Sequence, residues 1–178
     1  MSNHTNTLVE PKKVALKEIK VFAPATVANV VCGFDVLGFA VNAPGDEVVM
    51  RLVEEPGVRL LKITGDDGKL PLNSDKNTVS ASVKHYLSHI KREDVGVEIE
   101  LHKKMPIGSG LGSSSASTVA GLYAINQLMG NLLTAKELVP FAMKGEEIAC
   151  GYGHADNVAP AIMGGFVLVR SYEPLDVF

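Results

Sequence analysis

The sequence predicts an α+β domain with a mainly antiparallel or mixed sheet. Strand-like patterning fills the early part of the chain, from Leu16 to Ile63. From Asn77 the apolar spacing turns helical, interrupted by one clean strand at Val95–Leu101. Strands first and helices later indicate segregated elements rather than repeated βα units.

Residues 1–13 are polar and unpatterned, and are expected to form a mobile tail ahead of a folded unit over 14–178. Leu16–Ala23 alternates and reads as a strand. Val36–Val41 and Glu47–Val53 are two further strands, separated by Asn42-Ala43-Pro44-Gly45-Asp46, whose residue types favour a turn. Val58–Ile63 is the next strand, stopped by Gly65-Asp66-Asp67-Gly68. Val79, Val83, Tyr86, Leu87 and Ile90 recur at helical spacing. After the Val95–Leu101 strand comes a glycine- and serine-rich loop, then a small-residue helix to about Met129. Thr134 with Glu137 three residues on is a capping-box start for another helix. A short helix over Val158–Ile162 and a strand over Gly165–Val169 complete the pattern. That last strand has no evident neighbour after it, which suggests the front part of a longer protein.

With 178 residues, 46% of them hydrophobic, the chain can bury a core. The net charge of −3 argues against a nucleic-acid-binding face. No apolar run approaches the ~18 residues of a membrane span, and the polar start lacks a signal-peptide core. Two cysteines, Cys32 and Cys150, make no disulfide framework and read as small buried thiols in a reducing compartment. A cytoplasmic location follows as the default.

The chemistry concentrates in three stretches. In MPIGSGLGSSSASTVAG, Gly108, Gly110 and Gly112 let a ligand approach the main chain, and Ser113, Ser114 and Ser115 open a helix. Unpaired N–H groups, hydroxyls and the helix dipole together suit a phosphate. No lysine lies between Lys104 and Lys136, so this is not a Walker A loop, and the glycine spacing does not match a dinucleotide fingerprint. Composition leaves a phosphate loop of unspecified class, with a flexible loop as the plain alternative. The second stretch, Pro24–Gly38, is a loop of small residues whose only amide and carboxylate are Asn29 and Asp35. The third runs from Glu146 and Glu147 at a helix end to His154, Asp156 and Asn157. Polar side chains so crowded between apolar helices are costly unless they serve a ligand, although Asp156 could simply be the N-cap of the next helix.

These stretches resemble a known family. Pro106-Ile107-Gly108-Ser109-Gly110-Leu111-Gly112-Ser113-Ser114-Ser115-Ala116 is very similar to the P-x-x-x-G-L-G-S-S-A-A motif of the GHMP kinases. Ala28-Asn29 through Gly33-Phe34-Asp35-Val36-Leu37-Gly38, with His154-Ala155-Asp156-Asn157 through Gly164-Gly165, narrows the resemblance to its homoserine kinase branch. The resemblance implies a GHMP kinase amino-terminal domain, a ribosomal-protein-domain-2-like sheet with helices packed on it and a left-handed βαβ crossover. It implies ATP-dependent phosphorylation of the homoserine hydroxyl, in threonine biosynthesis. ATP would lie along Pro106–Ala116 with Asn77 toward the adenine, although Asn77 also suits an ordinary N-cap. Ser114 and Glu146 would hold Mg²⁺, with Glu147 competing for the role. Asn29, Asp35, His154 and Asn157 would bind homoserine. Asp156 and Asn157 would be the catalytic pair, Asp156 matching the base position of mevalonate kinases; phosphoryl transfer does not require a base, so its use stays open. The resemblance further implies a second domain that closes over the acceptor. By itself the chain is then expected to bind ATP weakly or not at all, to expose the apolar Phe166–Val169 face, and to self-associate, a homodimer included. His85 and His89, one helical turn apart with no third ligand, read as surface histidines.

Overall fold

Two long strands carry the fold. The computed structural model describes residues 17–178, with the backbone alone for 148–150; the expected tail 1–13 lies outside the described residues. β1 (Glu18–Val30) and β2 (Gly33–Val53) form one antiparallel hairpin, closed at Val31-Cys32. On its other edge β2 pairs with two partners in turn. Leu37–Phe39 pair with β5 (Phe166–Tyr172), and Glu47–Val53 pair with β4 (Gly96–His102). β3 (Gly57–Thr64) adds parallel to β4, and β6 (Leu175–Val177) adds antiparallel to β5. The helix linking the parallel pair is α1 (Thr78–His89), so β3–α1–β4 is the crossover unit. The sheet is mixed, as the sequence implies.

Strand alternation decides which face is covered. Val48, Met50, Val97, Ile99 and Leu101 are buried with Val83, Leu122, Ile125 and Leu138 from the helices. The opposite face carries charge, with Arg51 bridging Glu18 and Glu100, and Glu47 paired to Lys20 and Lys104. The helix α2 (Ser113–Leu128) is buried along nearly its whole length. Its small residues Ala116, Ala120 and Ala124 let neighbouring elements close on it from several sides. The others are α3 (Ala135–Cys150), started by the expected Thr134–Glu137 capping box, and α4 (Ala155–Met163).

Several expectations need correction. Asn42–Asp46 is no turn between strands, because pairing to β1 at Gly45 and Asp46 on one side and at Ala40 on the other keeps β2 continuous through it. The ladder steps from Pro24↔Gly45 to Thr26↔Ala40, so the extra residues are absorbed as a bulge in β2. Residues 24–30, read as loop, belong to β1 for the same reason. α4 begins at Ala155 with His154 as its cap, so Asp156 lies in the first turn and is not the N-cap. The last strand does have neighbours, β2 and β6. Cys32 is exposed at the hairpin tip and is not a buried thiol; the Cys150 side chain lies outside the described residues.

One buried polar link ties three helical elements together. Tyr86 on α1 donates to Asn126 Oδ1 on α2 at 2.8 Å, while Asn126 also donates to Leu133 O (2.8 Å) and accepts from Leu133 N (3.0 Å) ahead of α3. Asn126→Ala strands these partners without water, and is expected to cost about 3 kcal/mol of unfolding free energy, read by urea denaturation. Tyr86→Phe, which leaves the Asn126–Leu133 bonds in place, should cost less than half as much.

Candidate active site

The site begins where β4 ends and α2 starts. Between them Gly108, Gly110 and Gly112 have φ of 75°, 74° and 64°. A Cβ on Gly110 would meet nothing within 4 Å, so its requirement is conformational and not steric. Gly112 is the N-cap of α2 and offers no side-chain cap, which leaves the first N–H groups of the helix open to a ligand. These residues and Ser113–Ser115 form one wall of a cavity of ≈ 510 Å³. Lys103, Glu146 and Asn157 close it from other elements.

Beneath the loop lies a fully buried carboxylate. Asp46 Oδ1 accepts from the backbone N–H of Lys104 (2.9 Å) and Met105 (3.3 Å). Its Oδ2 accepts from the hydroxyls of Ser113 (3.0 Å) and Ser117 (2.8 Å), and from Lys103 Nζ. Lys103 also donates to Ser113 O (2.8 Å) and Ser117 Oγ (2.7 Å). Burial pulls the Lys103 ammonium below the ordinary lysine range, opposed by the attraction of Asp46. The Ser113 hydroxyl is therefore engaged inward.

Glu146, on α3, faces the cavity, whereas its neighbour Glu147 is exposed and paired with Lys144 at 2.7 Å. Helix phase thus turns Glu146, and not Glu147, toward the cavity. Burial pushes the Glu146 carboxyl above the usual carboxylate range, with the Ser114, Ser115 and Thr118 hydroxyls and Lys103 pulling the other way. Its Oε1 is buried and has no hydrogen-bond partner among the described residues. An orphaned carboxylate oxygen with a hydroxyl beside it is what a small hard cation completes, the remaining positions going to phosphate and water. The residues fit Mg²⁺. Among the described residues no cluster of three or more His, Cys, Asp or Glu side chains could hold a metal on its own.

A second group of polar residues adjoins the cavity at the start of α4. Asn157 lines the cavity and accepts from the buried Thr26 hydroxyl at 2.8 Å. Next to it Asp156 is buried, its carboxyl pushed up by burial, with nearby His154 opposing and Asp35 reinforcing the shift; its Oδ1 is unpartnered among the described residues. At the hairpin tip Asn29 and Asp35 both adopt left-handed backbone, and Asp35 N donates to Asn29 Oδ1 at 2.9 Å. Asp35 lies 3.7 Å from His154 Nδ1. Tyr172 from β5 holds this arrangement, its hydroxyl donating to Asp35 O at 2.8 Å.

The expected residues thus fall into two adjoining sets. Gly108, Ser109, Gly110, Gly112, Ser113, Ser114, Ser115, Ile107, Glu146, Asn77 and Asn157 line the cavity. Asn29, Asp35 and His154 form the hairpin cluster, and Asp156 is buried beside it. Pro106, Leu111 and Ala116 belong to the loop and helix without lining the cavity; Leu111 O instead accepts from Thr26 N (3.1 Å), and Ala116 is buried in the core. Asn77 is the N-cap of α1, its oxygen accepting from Val79 N (3.1 Å) and its nitrogen donating to Pro71 O (3.2 Å). Sequence reasoning missed Asp46, Lys103, Thr26 and Tyr172. Only Asp46 carried a signal, as a lone acid in a stretch read as a turn. His85 and His89 are exposed and pack around Phe141, at 5.3 and 5.1 Å between ring centroids.

Fold and site together define a domain with an open glycine-rich helix N-terminus over a buried carboxylate that faces the same cavity. The family model for the GHMP kinases N terminal domain matches residues 77–165, and the chain belongs to the GHMP kinase family. A homoserine kinase of Chlorobium phaeobacteroides is 50% identical over 171 residues, covering 91% of this chain and 53% of that protein. The crystal structure of homoserine kinase from Cytophaga hutchinsonii matches with a TM-score of 0.89 at 65% identity, over 97% of this chain and 54% of that one. The mevalonate kinase of Methanococcus jannaschii, 21% identical with a TM-score of 0.65, shares the fold. The chain spans about half the length of the curated relatives it matches.

Gly112 is packed closely by the two polar residues beside the loop. A Cβ there would lie 2.1 Å from Thr26 Oγ1 and 2.9 Å from Asn157 Oδ1, at a φ that L-residues resist. Gly112→Ala is expected to break the Thr26–Asn157 bond and to cost about 2–3 kcal/mol, measured by chemical denaturation.

Proposed function

We propose that this chain is the nucleotide-binding part, over residues 14–178, of an ATP-dependent kinase that transfers the γ-phosphoryl group to the hydroxyl of homoserine. The observation that carries the reading is the orphaned Glu146 oxygen facing the same cavity as the open N-terminus of α2 and the Asn157 amide. An anion site, a cation site and a polar acceptor group in one cavity are the parts phosphoryl transfer needs. The names of the relatives support the acceptor, as does the Asn29–Asp35–His154 cluster, which suits an amino acid.

The roles follow from chemistry. The loop N–H groups and the Ser114 and Ser115 hydroxyls bind the phosphates. Glu146 and Ser114 hold Mg²⁺, which when bound neutralises charge on the phosphate oxygens. Asp35 pairs with the homoserine ammonium, its backbone fixed by Asn29 and Tyr172, and His154 bonds a polar end. Asn157, fixed by Thr26, orients the acceptor hydroxyl. Asp156, its pKa raised by burial, supplies a proton acceptor in the same helical turn. No described helix is long and apolar enough to cross a membrane; a cytoplasmic biosynthetic enzyme acting on a small molecule is the reading. An exposed apolar edge at Phe166 and Leu168 suits a further contact, whether with another part of the protein or a second copy.

A coupled ADP-release assay on the intact reading frame that carries this chain tests the acceptor. Homoserine should exceed mevalonate, galactose, serine and threonine in kcat/KM by at least about a hundredfold, because the site's polar groups go unpaired with the wrong acceptor. Preference for mevalonate would overturn the assignment. Glu146→Gln should lower turnover by about two orders of magnitude, as loss of a cation ligand does. Its affinity for ATP without Mg²⁺ should match that of the unaltered protein. A Mg²⁺ titration with an unchanged midpoint would remove Glu146 from the role.

A further inference from the structure

We infer that Asp46 is a positioning residue for the phosphate loop, the tether that sets the separation of its two ends, with Lys103 as its neutralising partner. The inference rests on the kinase reading for its consequence but not for its geometry.

The loop between β4 and α2 has few bonds of its own. Ser109 N reaches back to Pro106 O at 3.3 Å, and Leu111 O is held from outside by Thr26. Its start and its finish, however, meet on one side chain. Oδ1 of Asp46 holds the N–H groups of Lys104 and Met105 where the chain leaves β4, and Oδ2 holds the hydroxyls of Ser113 and Ser117 in the first turns of α2. A carboxylate is suited to this because its oxygens accept several bonds in one plane, which no single neutral side chain matches. The bulge in β2 brings Asp46 to this spot.

A negative charge under an anion site is an apparent contradiction, and Lys103 resolves it. It is 7% exposed, bonded to Asp46, and also donates to Ser113 O, so it fixes the exit of the loop from the other side. The pair is close to neutral seen from the cavity. The field of the helix N-terminus then acts on the ligand undiminished.

The pair can be replaced as a unit. Removing both charges together avoids leaving a lone buried charge, so Asp46→Leu with Lys103→Met removes the tether with the smaller cost to folding. Hydrogen exchange is measured on the full chain without nucleotide, together with the melting temperature. The expected result is at least tenfold faster exchange at the bonded amides that frame the loop, Ser109 and Ala116, beyond any change in the core strands, and a lowered melting temperature because the donors Asp46 served lose their acceptor. On the intact reading frame that carries this chain, calorimetry should show at least a tenfold weaker affinity for Mg²⁺–ATP, and in turnover KM for ATP should rise by more than kcat falls. Unchanged loop exchange in the folded double variant overturns the inference. Should that variant not fold, Ser117→Ala removes one bond at the helix end; at least threefold faster loop exchange is expected, and unchanged exchange overturns the tether. Failure of the unaltered intact reading frame to bind Mg²⁺–ATP would instead count against the kinase reading, while loop exchange still judges the tether.

Discussion

A carboxylate removed from water must be given a counter-charge and donors for its oxygens, and Asp46 receives both. Its partners come from the end of β4, the start of the glycine loop and the first turns of α2. The side chain can reach them only if β2 bends there, and the bulge lies beside it, in the gap where β2 exchanges β5 for β4 as its edge partner. Sheet topology, the aim of one side chain and the position of a helix N-terminus are thus one constraint met once. Removing either charge alone would leave the other buried without a partner, the costly way to break such a pair.

The helix that depends on this anchor is unusual for how little of it is exposed. Ala116, Ala120 and Ala124 admit close neighbours, so α2 serves as the post around which β1, β2 and the other helices pack. The same closeness builds the site. Thr26 from β1 and Asn157 from α4 bond over Gly112, and Gly38 leaves room for the Asp156 carbonyl, since a Cβ there would lie 1.8 Å from it. Cavity wall and core are parts of one packing arrangement.

Much of this was legible in the residues. The strand at Val95–Leu101, the α1 period, the Thr134–Glu137 box and the loop motif each rest on local rules of alternation, helical spacing or capping, which need no distant partner. The readings that failed did so where a distant partner overruled local preference. Asn-Ala-Pro-Gly-Asp reads as a turn by composition, yet pairing to β1 at its end and just before it keeps the strand continuous. Pro24–Val30 reads as loop because its residues are small, and they are small because α2 and α4 press against them. His154 displaced Asp156 as the α4 cap because the helix starts two residues earlier than that cap implies.

By itself the sequence determined the α+β class, most element positions, the glycine-rich loop ahead of a helix and the family resemblance, since each is written in short-range pattern or in a contiguous motif. Tertiary structure alone decided that Glu146 and not Glu147 meets the loop, that Asn29, Asp35, His154 and Tyr172 gather at one tip, and that Asp46 and Lys103, 57 residues apart, share one buried site. Such pairings depend on strand register and helix phase, and a charge gives no sign along the chain of whether its partner lies in water or across the core.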